Sequence, residues 1–90
     1  MFRLLSDADV HAFIEADARA QMDFFYQQPG LARRTTSRNG DDWLVLTLWG
    51  SEADADACLA ASSSDGAYEA FESFIDPTSV EVKRYFGLEG

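Results

Sequence analysis

The side chains that could carry chemistry are few, and each has a plain reading beside its chemical one. His11 is the only histidine, and helical spacing sets Glu15 one turn on. A surface contact between them is the plain reading; a general base at a cavity mouth is the chemical one. A lone His without a paired Cys or a second His is a poor metal site, and the expectation is that no metal is bound. Cys58 lies among alanines and beside Leu59, with no cation close in sequence to activate it. It reads as a small buried hydrophobe. Glu69 and Glu72 share a helix face, and Asp54 and Asp56 lie upstream, but without histidines these carboxylates read as solvated surface.

The run Arg33-Arg34-Thr35-Thr36-Ser37-Arg38 holds three of the seven basic residues. It has no internal glycine, so it is not a phosphate loop, and alternate strand residues point apart, so it is not one patch. Protection of an edge strand and ion pairing explain it simply. Within it, Arg33 is the candidate anchor for an anion or carbonyl. Asp17 and Gln21 break the apolar stripe of the first helix. A carboxylate and a guanidinium facing each other across a core must pair, and they can line a cavity between helix and sheet. Trp43, Trp49, Tyr26, Tyr68 and Tyr85 read first as core or interface.

The elements that position these residues follow from pattern. Phe2–Leu5 reads as a short strand. Ser6 reads as a helix cap, with the helix running from Asp7 to Gln27 or Gln28 and stopped by Pro29-Gly30. Leu31–Arg38 reads as a strand, Asn39-Gly40 as a two-residue type I′ turn, and Trp43–Trp49 as the apolar returning strand. Ser51 with Asp54 resembles a capping box before a helix over Glu52 to about Ala61. Ser62–Gly66 breaks the chain, a helix resumes near Ala67, and Asp76-Pro77 stops it. Val80–Phe86 reads as a final strand and Gly87–Gly90 as a tail. The order is β-α-β-β-α-β: an α+β, ferredoxin-like sandwich of a four-stranded antiparallel sheet with two helices on one face, in one domain over residues 1–90.

A loop at Asn39-Gly40 pairs Arg38 with Asp41, Thr36 with Trp43, Thr35 with Leu44, Arg34 with Val45 and Arg33 with Leu46. One face then carries Arg34, Thr36, Trp43, Val45, Thr47 and Trp49. The other carries Leu31, Arg33, Thr35, Leu44, Leu46 and Leu48. The leucine face is expected against the helices and the Trp face against a second copy, making a homodimer through the sheet.

Composition narrows the partners. The chain has 90 residues, 47% apolar and 13% aromatic, enough for one core. Seven basic against sixteen acidic residues give a net charge of -9. That argues against nucleic acid and against an anionic membrane surface. No apolar run is long enough to span a bilayer, and a single cysteine cannot staple the chain, so a reducing cytoplasmic setting is expected.

The element order, Pro29-Gly30-Leu31 leading into an Arg/Thr strand, and Trp43–Trp49 running into Gly50-Ser51-Glu52-Ala53 resemble the dimeric α+β barrel superfamily, nearest in feel to antibiotic-biosynthesis-monooxygenase-like domains. The resemblance covers nearly the whole chain on loose motifs. It implies a cofactor-independent monooxygenase acting on a small aromatic substrate between helices and sheet, whose deprotonated form reacts with O₂. In that reading Arg33 anchors an oxyanion, Asp17 or His11 moves a proton, and Gln21, Thr35, Trp49 and Tyr68 line the cavity. No cofactor is expected. The haem degraders of the superfamily use a Trp in the second helix, a nearby His and an N-terminal Asn, all missing here. Relatives also have a longer first strand than the five residues before Ser6; either the strand is short or the true start lies upstream. The alternative is a non-catalytic homodimeric ligand-binding or dimerisation module, in which the polar residues inside are only a salt bridge.

Overall fold

The structure, a computed structural model, describes residues 1–87. The expected tail lies outside the described residues from position 88 on. Over the described residues the chain is α+β, with three helices and a two-stranded antiparallel sheet. Helix α1 spans Val10–Asp23, α2 Glu52–Ser62 and α3 Gly66–Glu72; strand β1 spans Leu31–Asn39 and β2 Asp42–Trp49. Short 3-10 turns follow α1 at Phe25–Gln27 and α3 at Pro77–Ser79. No described helix is long and apolar enough to cross a membrane.

Helix α1 starts later than its sequence suggests. Asp9, not Ser6, is the cap, and its carboxylate accepts from the His11 and Ala12 N–H groups. A carboxylate at the cap satisfies orphan donors and meets the positive end of the helix, an advantage a Ser lacks. At α2 the expected cap is present. Ser51 Oγ accepts from the Asp54 N–H at 3.2 Å and donates to Asp54 Oδ2 at 3.0 Å.

The hairpin loop sits one residue further on than a type I′ turn at Asn39-Gly40 requires. Asn39 pairs with Asp42, leaving Gly40-Asp41 as the loop. Only Gly40 in it has positive φ, at 60°. That is the demand of a type II′ turn, which spares Asn39 the left-handed conformation of type I′. The shifted loop also lets Arg38 lie over the Trp43 ring at 5.0 Å while its Nε donates to the Gly40 carbonyl. Pairing becomes Arg38 with Trp43, Thr36 with Val45, Thr35 with Leu46 and Arg34 with Thr47. The slip is two residues, so side chains keep their faces; one residue would have flipped them. A bulge between Leu31 and Arg33 moves Leu31 alone to the Trp face.

The faces point opposite to expectation. Trp43 is buried and Val45 and Trp49 pack against the core, whereas Leu44, Leu46 and Leu48 are each about half exposed (49%, 53% and 49%). Two indoles and a valine offer more apolar area than three leucines, and they meet an interior made of rings. Phe13 lies at its centre, fully buried, with ring centroids 4.9 Å from Trp43, 5.6 Å from Phe71 and 6.0 Å from both Phe2 and Phe74.

The outer strands are reduced to single bridges. Phe2 pairs with Trp43 and Leu4 with Ile75, both antiparallel. Val80–Phe86 is not a strand; its link to the N-terminus is the pair of bonds between Met1 and Glu81, each 2.8 Å. Residues 74–81, residues 1–5, β2 and β1 therefore lie side by side in that order.

Replacing Phe13 by Ala should cost about 3–5 kcal/mol in urea unfolding, because the hole is ringed by aromatics that cannot collapse into it. Replacing Ile14, which is half exposed, should cost about 1 kcal/mol or less.

Candidate functional site

The chain places one charged cluster between helix and sheet, and its arginine is Arg34, not Arg33. Arg34 shares the Trp face of β1, and its side chain has no exposed surface. Arg33 points the other way and is exposed. Asp17 and Gln21, one helical turn apart, present their side chains from α1 to the same guanidinium. Arg34 Nη2 donates to Asp17 Oδ1 at 2.8 Å. Arg34 Nη1 donates to Gln21 Oε1 at 3.3 Å and to Thr36 Oγ1 at 3.4 Å. Thr36 Oγ1 in turn donates to Asp17 Oδ1 at 3.1 Å. The guanidinium lies 4.3 Å from the Phe25 ring centroid and 5.2 Å from that of Phe71. These rings supply the cation–π attraction that a desolvated guanidinium gains most from. Arg34 Nε alone has no acceptor. An unmade bond of this kind costs about 1–3 kcal/mol, which the pair and the two rings offset.

This arrangement occupies its space. Asp17, only 15% exposed at its side chain, spends one oxygen on two bonds and neutralises the buried cation. The result is a closed ion pair under aromatic rings, where an anchor for an incoming oxyanion needs free guanidinium donors facing an opening.

The remaining residues of the expected site are dispersed. His11 is exposed on the first turn of α1. Thr35 is on the outer face opposite Leu46. Trp49 packs against the core from the end of β2, its Nε1 donating to Thr47 Oγ1 at 3.1 Å. Tyr68 stacks among Phe24, Phe25 and Phe71. It also lines a shallow groove of about 320 Å³ between α2 and α3 with Leu59, Ser62, Ser63, Glu69 and Glu72. Burial pushes its phenol above the ordinary tyrosine range, and the nearby Glu72 charge adds to the shift. That opposes a phenolate at neutral pH.

Of the expected site, then, only Asp17 and Gln21 meet. Arg34, Thr36, Phe25 and Phe71 were missed. The signal for Arg34 was its place on the Trp face; it was hidden by the wrong choice of which face turns inward. Cys58 is buried beside this cluster, as its alanine-rich surroundings suggest. Burial raises its thiol pKa, and the Arg34 charge opposes that with a smaller effect. Among the described residues no group of three His, Cys, Asp or Glu side chains is placed to hold a metal ion. No family model, curated protein or solved structure matches the chain.

Asp17→Ala leaves a buried cation without its counter-ion and should cost about 3–5 kcal/mol in chemical denaturation. The double variant Asp17→Leu, Arg34→Met removes both charges and should recover most of that loss. Iodoacetamide should alkylate Cys58 far more slowly in the folded chain than in urea at neutral pH, since the buried thiol stays protonated.

Proposed function

We propose that the chain is a non-catalytic, homodimeric module of ferredoxin-like type, in the manner of the dimeric α+β barrels, assembling through the outer face of its sheet. The observation that carries this reading is the leucine row. Leu44, Leu46 and Leu48 stand half exposed on one face, beside Arg33, Thr35 and Ser37 of β1. In a chain of net charge -9, the part of that face made by β1 and β2 carries one carboxylate, Asp42 at the hairpin end, and it is ion-paired with Arg3. An apolar strip on a strand pair, with its one carboxylate at the end, can be self-complementary across a two-fold axis, which is the form a C₂ interface takes. The interface differs from the sequence expectation only in which face it uses. The side-by-side order of residues 74–81, residues 1–5, β2 and β1, antiparallel throughout, supports the ferredoxin-like reading, since it is the lane order of a split βαβ sheet.

A second reading keeps a small aromatic ligand, or cofactor-free monooxygenase-like chemistry, near Arg34. The unpartnered Arg34 Nε is the one observation in its favour. Against it stands the ring pair, Phe25 and Phe71, already lying where an aromatic substrate would stack. A thermal-shift panel of phenols, hydroxyquinones and aromatic acids separates the two: a ligand at ~100 times its Kd stabilises by ~2.7 kcal/mol, and the module reading expects silence.

Sedimentation equilibrium should give a dimer's mass for the native chain and a monomer's mass for Leu46→Lys, with the helical circular dichroism unchanged. A native chain that stays monomeric at tens of micromolar removes the proposal.

A further inference from the structure

A pocket of about 360 Å³ opens between residues 3–10 and the hairpin end of the sheet. Both of its walls are internal segments of the chain, and it shares no residue with the Arg34 cluster. Its volume lies in the range of small-molecule sites. Leu4, Leu5 and Val10 give it an aliphatic wall, and the buried Trp43 lines it from the sheet. Its rim is charged, with Arg3, Arg38 and Asp41 all lining it.

The charges at this end fall into one closed pair and one open pair. Arg3 Nε donates to Asp42 Oδ1 at 2.9 Å, so these two neutralise each other. Arg38 and Asp41 are left, and among the described residues neither makes an ion pair. Opposite charges so close across a tight loop would ordinarily meet. Arg38 is held elsewhere: its Nε donates to the Gly40 carbonyl at 2.8 Å, and its guanidinium lies 5.0 Å from the Trp43 ring centroid. The two Nη groups are therefore positioned but unspent. They form an edge that grips a carboxylate through two parallel bonds. One open cation, one open anion and an aliphatic wall are complementary to a molecule that carries both charges and a short aliphatic branch.

We propose that this pocket binds a free aliphatic α-amino acid as its zwitterion. The ligand carboxylate meets the Arg38 Nη groups, its ammonium meets Asp41, and its side chain lies against Leu4, Leu5 and Val10. Arg38 already covers the Trp43 ring, so an aromatic side chain finds no ring face to stack on and a branched aliphatic one fits better. The open pair also selects against half-matches. A plain carboxylate brings a like charge beside Asp41, and a plain amine brings one beside Arg38. Arg38 and Trp43 share the inner face of the sheet, opposite the leucine row. The pocket is therefore independent of the proposed dimer, and a Leu46→Lys chain keeps it. The phenols, hydroxyquinones and aromatic acids of the thermal-shift panel lack an ammonium, so that panel stays silent here too.

The test is proton–nitrogen-15 NMR of the labelled chain titrated with L-leucine. The Trp43 indole signal and the Gly40 and Asp41 amide signals should move together and saturate, while those of Cys58 and Tyr68 stay in place. Isocaproate keeps the carboxylate and branch of leucine without the ammonium; isopentylamine keeps the ammonium and branch without the carboxylate. Each should bind more weakly than leucine by about tenfold or more, for the loss of one charge-assisted contact. Asp41→Asn and Arg38→Gln should weaken leucine by a similar factor, with the helical circular dichroism unchanged. If Arg38→Gln disturbs the hairpin, Asp41→Asn and the two half-ligands decide. Signals that do not move up to the solubility limit of leucine overturn the proposal. So does isocaproate binding as tightly as leucine, which would leave only a cationic patch, or isopentylamine doing so, which would leave only an anionic one.

Discussion

The Arg34 guanidinium sets the terms for the rest of the molecule. A cation with no exposed surface can exist here only if a counter-ion reaches it and something polarisable covers its faces. Asp17 and Gln21 do the first from one side of α1, so the rotation of α1 about its axis is tied to β1. Phe25 and Phe71 do the second, which ties the turn after α1 and helix α3 to the same point. The α1 segment with its following turn, and helix α3 some forty residues later, thus converge on one side chain of β1. Around it Phe2, Phe13, Phe24 and Trp43 form a core of rings, whose edge-to-face contacts tolerate a planar cation better than branched aliphatics would.

That choice of inner face has a consequence for the outer one. Because Trp43, Val45 and Trp49 turn inward with Arg34, the three leucines of β2 are left facing out. The chain is small and its sheet has only two regular strands, so it covers one side of that sheet and not the other. Within β1 and β2, Asp42 at the hairpin end is the one acidic residue on the leucine side, and Arg3 pairs it. Burial of the three leucines would add apolar area at about 25 cal/mol per Å². The exposure of this face follows from the same constraint that closes the interior.

Much of this was legible in the sequence. The α+β class, the hairpin, the Ser51–Asp54 cap and the partition of side chains between two sheet faces all follow from local pattern. Asp17 and Gln21 announced a polar contact inside because they interrupt an apolar stripe. What local pattern does not contain is orientation. Alternation says that Trp43 and Leu44 face opposite ways; which is inside depends on the total area and shape that the helices offer, a property of the assembled fold. The substitution of Arg33 for Arg34 as the buried cation was that one error carried one residue along. The loop shift from Asn39-Gly40 to Gly40-Asp41 is accompanied by a cross-strand contact, Arg38 over Trp43, that no dipeptide preference encodes. The outer strands failed for a different reason. Phe2–Leu5 and Val80–Phe86 have the composition of strands, but each finds a partner over only one or two residues.

The most direct test of a closed, structural Arg34 is its own guanidinium. Nitrogen-15 NMR of the side-chain Nε–H and Nη–H groups, at neutral pH and with a panel of phenols and aromatic acids, reads both burial and access. The account predicts that the Arg34 signals exchange slowly with solvent while those of exposed Arg33 are lost, and that no aromatic compound moves them. Rapid exchange, or displacement of the Arg34 signals by an aromatic ligand, would contradict it and put an open binding cavity where the structure has an ion pair under two rings.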